Sequence, residues 1–393
     1  MFARRTAWNL ARNRYTEVLE ERVRAGGEVL DLTASNPTTI GLTYDQQRLL
    51  GALARRESLA YQPVPKGMLS AREAVAGYYA EQGSAVDAND LVLTTSTSEA
   101  YSFVFRLLCN PGEAVLVPVP SYPLFDFLAD LNDVKLVPYE LVYDHGWQID
   151  FHSLRQAIDR TGPRAACRAV LILHPNNPTA SFVKAQEARE LSEICIAYEL
   201  ASIVDEVFFD YALELQHAPS FSSNDSALTF TLSGLSKISA LPQMKVAWIV
   251  VSGPATAKCE ALARLEVIAD TYLSMNAPLQ LAVPEMLAER RPVQNQLMQR
   301  IRTNLGALDA ALAQQNLCHR LSIEGGWYAL LRVPVLSSDE ELAVTLLRQT
   351  GVLLQPGHFY NFPDEGHLVC SLITPAGEFE LGIRRALSFI SQR

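Results

Sequence analysis

The stretch Ala169–Glu206, AVLILHPNNPTASFVKAQEARELSEICIAYELASIVDE, decides the fold. It opens on an apolar run, Ala169–Leu173, and passes through a turn rich in Asn and Pro. It continues as a helix-like pattern over Ala185–Tyr198 and closes on a second apolar run, Ala201–Val204. Neither run alternates apolar with polar residues, so each reads as a strand buried on both faces. Strands of that kind, separated by a helix, point to a mostly parallel sheet with helices on either side.

The same rhythm extends outward in both directions. Asp90–Leu93, Ala114–Val117, Leu228–Leu232 and Val246–Val251 are further short β-branched or apolar runs, and Ser98–Leu108 and Tyr122–Leu131 are helix-like. The class is α/β. After about Val283 the character changes. Glu285–Gln314 reads as largely helical with a break at Pro292. Leu321–Val333 and Leu368–Leu372 read as strands with a helix, Ser338–Thr350, between them. This fits a second, smaller α+β domain. The expected division is an N-terminal arm with part of the small domain (1–44), a large domain (45–283) and a small C-terminal domain (284–393).

Composition narrows the function classes. Of 393 residues, 49% are apolar and 19% charged, an ordinary globular balance. A net charge of -10 argues against nucleic acid or an anionic membrane as partner. The six cysteines, Cys109, Cys167, Cys195, Cys259, Cys318 and Cys370, form no C-x-x-C pair, so neither a disulfide framework nor a zinc site is expected. That usage suits a reducing compartment. Met1–Arg14 holds four arginines and no acid but has no apolar core or small-residue cleavage site, and reads as an arm on a cytoplasmic protein.

Four patterns sit at the expected C-terminal ends of strands, where open α/β sheets bind ligands. Thr94–Ala100, TTSTSEA, opens a helix; its hydroxyls and free amides suit a phosphate, and equally suit simple N-capping. His174–Thr179, HPNNPT, is either a turn or a ligand loop. Asp205, at the tip of a buried strand, is costly unless paired. Lys237, in Ser233–Lys237 (SGLSK), is either solvated or a Schiff-base amine of lowered pKa.

In order along the chain, Tyr61-x-Pro63-x-x-x-Gly67, Ser96-Thr97-Ser98-Glu99-Ala100, Pro120-Ser121-Tyr122, the His174–Thr179 turn, Asp205-Glu206-Val207 and Ser236-Lys237 resemble the class I and II aminotransferases, fold-type I pyridoxal-phosphate enzymes. The resemblance runs from about Leu30 to Leu387. It implies a seven-stranded-type sheet in the large domain and pyridoxal 5'-phosphate as cofactor. It also implies that Lys237 forms the Schiff base and then moves the substrate proton. Asp205 would pair with the pyridinium nitrogen, Asn177 would bond the ring's O3′, and Tyr122 would stack on the ring. Thr97, Ser98, Ser236 and Lys245 would seat the phosphate. Tyr61 would reach the phosphate of the neighbouring subunit, so a homodimer is implied. The implied reaction moves an amino group from an L-amino acid, neutral or aromatic, to a 2-oxo acid. The alternatives are a C–S lyase or another α-carbon reaction within the same cofactor chemistry, and, behind these, a catalytically degenerate regulator.

The chain departs from the family's pattern at three places. Phe208 stands where a Tyr commonly donates to O3′, which would raise the Schiff-base pKa unless Tyr211 reaches in. Lys245 replaces the usual phosphate-binding Arg, and Gly234 the usual Ser. Val369 occupies the position of the substrate-carboxylate Arg; His358, Tyr360 or an arginine of the N-terminal arm are the candidate replacements. The pair Trp327-Tyr328 either lines the substrate pocket or packs in the core.

Overall fold

A computed structural model of the chain describes residues 1–123, 125–162, 166–213 and 219–393. In chain order its strands are β1 (Leu30–Asp31), β2 (Leu91–Thr94), β3 (Ala114–Val119), β4 (Lys135–Tyr143), β5 (Trp147–Ile149), β6 (Cys167–Leu173), β7 (Ala201–Asp205), β8 (Thr229–Gly234), β9 (Ala247–Ser252), β10 (His319–Arg320), β11 (Tyr328–Arg332), β12 (Val352–Leu353), β13 (Gln355–Pro356) and β14 (His367–Ser371).

Eight of them form the large sheet, in the order β2-β9-β8-β7-β6-β3-β4-β5. This is one strand more than the seven expected. The five strands from β8 to β4 run parallel, and β9 and β5 are antiparallel to their neighbours. Alternate residues supply two apolar faces. On one, Leu171, Ile203 and Phe230 meet Val104, Phe105 and Leu265 of the helices Thr97–Leu108 and Ala255–Tyr272. On the other, Val170, Ile172 and Val204 meet Leu154, Leu191 and Ile194 of the helices Phe151–Arg160 and Ala185–Tyr198. Continuous apolar runs are what such a doubly covered sheet requires.

A separate four-stranded antiparallel sheet has the order β10-β11-β14-β13. It packs with the helices Arg290–Leu312, Asp339–Thr350 and Ala376–Ile390 into its own apolar cluster. The segment before β11 is stitched to the large sheet. Glu324 binds Lys184 Nζ at 2.6 Å and accepts from the Phe182 amide at 2.7 Å. The amides of Glu324 and Gly325 both donate to the Ala180 carbonyl, and that of Gly326 to Tyr211.

Several local expectations need correction. The helix expected over Tyr122–Leu131 runs over Phe125–Leu131, with Leu124 outside the described residues. The expected break at Pro292 falls instead at Glu289, between the helices Ala277–Ala288 and Arg290–Leu312. Pro292 is third in the second helix, where its missing N–H has no intrahelical partner to lose. Of the strand expected over Leu321–Val333, Tyr328–Arg332 is β11, while the Gly325-Gly326 turn and its docking hold the earlier residues out of the sheet. Strands β4 and β5 lie outside the runs read from the sequence.

Candidate active site

Strands β6, β7 and β8 are parallel, and β2 runs the same way because β9 reverses direction twice between it and β8. Their C-terminal ends therefore share one edge of the sheet. His174 follows β6, Asp205 ends β7, Lys237 lies in the one-turn helix Leu235–Ile238 after β8, and Ser96 follows β2.

Asp205 is buried. Its Oδ2 accepts from the Tyr101 hydroxyl at 2.8 Å, and its Oδ1 from the Val207 amide at 3.0 Å. Burial pushes its pKa up; those two donors and the Lys237 charge pull the other way. Tyr101 was not foreseen as part of the site. It lies four residues after Thr97 on the same helix, hence on the same face, which is the signal that could have found it.

Lys237 keeps part of its surface open, with Nζ 4.8 Å from the Trp327 ring centroid and 5.4 Å from that of Phe208. Burial lowers its pKa to about 8, the Asp205 charge opposing. Phe208 is itself buried edge-on against Trp327 at 5.2 Å. Tyr211 does not supply the hydroxyl that Phe208 lacks, because its OH donates to the Lys237 carbonyl at 2.6 Å. Trp327 lies wholly in the core, and its ring meets the lysine.

The capping question resolves at Ser96. Its Oγ accepts from the Glu99 amide at 3.1 Å, and Glu99 in turn holds the Thr95 amide at 2.7 Å. Capping therefore does not use Thr97 or Ser98, and among the described residues their amides have no acceptor. Asn177 is buried with its Oδ1 unpartnered. Tyr122 is 38% exposed and meets Phe125 edge-on at 5.8 Å; burial, then the Asp205 charge, raise its pKa.

Ser236 is partly buried two residues into that turn. Lys245 is exposed in a left-handed backbone conformation, φ 51°. Tyr61 is 79% exposed, with no hydrogen bond or ring contact among the described residues. Val369 is fully buried in the middle of β14, opposite Leu330 and Gln355. Of the candidate replacements, His358 is exposed and Tyr360 is buried with its hydroxyl on Gln355 Oε1. Two arm arginines are engaged elsewhere, Arg5 with Asp133 at 2.6 Å and Arg12 with Glu20. The six cysteines are free, and among the described residues no His, Cys, Asp and Glu group could hold a metal and no helix is long and apolar enough to cross a membrane.

The sequence model of the family "Aminotransferase class I and II" matches residues 27–377. The glutamate-pyruvate aminotransferase AlaA of Haemophilus influenzae is 26% identical over 93% of this chain and 91% of its own length. The alanine aminotransferase of Mycobacterium tuberculosis is 24% identical over 93% of this chain and 86% of its own. Among solved structures, an alanine aminotransferase from Pyrococcus furiosus superposes with a TM-score of 0.89 at 21% identity, covering 100% of both chains. An aspartate aminotransferase from Thermotoga maritima does so with a TM-score of 0.84 at 18% identity, covering 99% of this chain and 100% of that one.

Proposed function

The chain belongs to the class I and II aminotransferase family, and we propose that Lys237 is the amine that carries its pyridoxal 5'-phosphate. The protein is a pyridoxal-phosphate-dependent transaminase of fold type I. The observation that carries the assignment of the site is the meeting of Lys237, Asp205, Asn177 and two acceptor-free amides at one sheet edge.

The residues fit the group. The Thr97 and Ser98 amides at a helix N-terminus suit a phosphate, with Ser236, Lys245 and a partner copy's equivalent of Tyr61 completing the seat. Asn177 can turn its NH₂ to the ring's O3′, since its amide oxygen has no bond to lose. Tyr122 offers a ring face. When bound, the cofactor supplies an electron sink for the pair left on the substrate α-carbon. Asp205, fixed by Tyr101, holds a proton on the pyridine nitrogen. Lys237 Nζ, with a pKa of about 8, has a substantial neutral fraction near neutrality and takes the proton from the α-carbon. Trp327 and Phe208 shield that amine from bulk water.

The donor we assign is a neutral or aromatic L-amino acid, and the acceptor a 2-oxo acid. Support comes from the aromatic wall of Phe208, Trp327 and Tyr328, which offers no cation to a second carboxylate. The relatives named for alanine and for glutamate-pyruvate transfer put alanine first among the donors to try. A homodimer is part of the reading, supported by Leu59 and Tyr61, which project from one segment at 89% and 79% exposure. So is a cytoplasmic setting, supported by six unpaired cysteines. The division at 44/45 and 283/284 belongs to it as well. The contacts favour a second boundary at Glu289, because the helix Ala277–Ala288, which 283/284 would cut, packs on Leu69–Glu81 through Val283, Met286 and Leu287, and Arg290–Leu312 packs on Ala376–Ile390.

The test is a half-reaction. Protein saturated with pyridoxal phosphate is mixed with each common L-amino acid and, separately, with amines lacking a carboxylate. Loss of the Schiff-base absorption with neutral amino acids, and release of their 2-oxo acids, supports the reading. Reaction only with carboxylate-free amines overturns the substrate class. Retention of full turnover by Lys237→Ala overturns the assignment of the amine.

A further inference from the structure

Lys237 is the third residue of a single helical turn, Leu235–Ile238. Only the Leu235 carbonyl takes an i+4 amide, that of Ser239 at 3.2 Å, so the carbonyls at the end of so short a helix need other donors. Here side chains from three separate elements supply them. The Lys237 carbonyl accepts from the Tyr211 hydroxyl at 2.6 Å, and from the Ala240 amide at 3.2 Å. The Ile238 carbonyl accepts from Gln294 Nε2 at 2.9 Å, and that of Ala240 from the Tyr44 hydroxyl at 2.9 Å.

These donors are themselves held. Gln294 Nε2 also donates to Asp210 Oδ1 at 3.1 Å, and Asp210 takes Gln82 at 3.2 Å and the Tyr78 hydroxyl at 2.6 Å. Tyr211 is completely buried and lies edge-on to Trp327 at 5.2 Å. Trp327 is the ring on which Lys237 Nζ rests at 4.8 Å. Tyr211 therefore reaches the lysine twice, directly at the main chain and through Trp327 at the amine.

We propose that Tyr211 and Gln294 are positioning residues for Lys237, fixing the backbone turn from which the amine projects. A lysine amine stands on a flexible four-carbon stem, so its place is only as well defined as the main chain beneath it. The hydroxyl absent at Phe208 and present at Tyr211 serves the protein's own backbone. The inference rests on Lys237 being the cofactor-carrying amine.

Tyr211→Phe and Gln294→Met, made in the full chain, test it with two readouts. In the apoprotein, the pH dependence of Lys237 acetylation by acetic anhydride is followed by peptide mass spectrometry. The wild-type midpoint of about 8 is expected to move up by about one unit in each variant as the amine loses its fixed, shielded place. In the loaded protein, kcat is expected to fall on the order of tenfold, with cofactor affinity within about twofold. Unchanged acetylation midpoints and kcat in both variants overturn the proposal. If one variant does not fold, the other carries the same expectation. If both fold poorly yet their folded fractions acetylate as wild type does, the bonds serve structure alone and the proposal fails. Failure of the underlying assignment is distinct, since it shows as turnover by Lys237→Ala whatever the acetylation profile.

Discussion

Replacing Lys237 with methionine should stabilise the apoprotein, and by an amount that depends on pH. Burial lowers the lysine's pKa from 10.5 to about 8, with the Asp205 charge opposing. The folded chain thus holds this proton less tightly than the unfolded chain does. A gap of about 2.5 pH units corresponds to ~3 kcal/mol of cost, fully present below about pH 8. Between about pH 8 and 10.5 the unfolded chain still binds the proton while the folded one has released it, so wild-type stability rises across that window. Methionine has similar length and no proton to lose. Lys237→Met should therefore exceed wild type by up to ~3 kcal/mol at pH 7, or roughly 2–4 °C in Tm for a chain of this size. The advantage should vanish by about pH 10.5. Urea and thermal unfolding of both cofactor-free proteins at intervals from pH 7 to 10.5 measure it. A difference that stays flat across the window, or a variant less stable at pH 7, would refute the reasoning.

Three further outcomes follow from other contacts. Asp205→Ala should lower the half-reaction rate roughly 100-fold or more, read by stopped-flow absorbance, and a rate near wild type would remove Asp205 from the chemistry. Phe208→Tyr restores a donor beside Lys237 and should lower the Schiff-base pKa by about one unit in an absorbance titration; an unmoved midpoint would show that the new hydroxyl bonds elsewhere. Glu324→Ala leaves the Phe182 amide without its acceptor while Lys184 Nζ keeps the Trp147 and Phe182 carbonyls, and should cost ~1–2 kcal/mol in urea denaturation; a loss below about 0.5 kcal/mol would show that water replaces the carboxylate.

The strands legible in the sequence are those buried on both faces, since only these read as unbroken apolar runs. β4 escaped notice because Lys135–Tyr143, KLVPYELVY, lies near the sheet's rim with alternating exposure, and carries Pro138 and two charges. Pro292 misled because a proline breaks a helix only beyond its first turn. In the site, Lys237 and Asp205 were legible as polar residues at strand tips. Gln294 was not, because it bonds a group 56 residues away and nothing local marks the pairing; Tyr101 was marked only by sharing a helix face with Thr97, and Tyr211 was read only as a hydroxyl that could stand in for the one missing at Phe208. At Asn177 the sequence pointed to a ligand only through the family resemblance, and burial with an unpartnered amide oxygen is the independent mark.

The stitching of Glu324, Gly325 and Gly326 to Ala180, Phe182, Lys184 and Tyr211 has a mechanical consequence. A body fastened along one edge can turn only about that edge. The fastened segment leads directly into β11, so the axis lies beside Trp327, and β14 and β13 stand progressively farther from it in the sheet. Displacement grows with distance from an axis. The rings around the lysine sit at that fastening, and the far end just beyond β13 is held too, the Tyr360 carbonyl accepting from the Ser121 amide at 3.0 Å. The small sheet is thus tied to the large domain at both ends, and any movement between them has to release one of the ties.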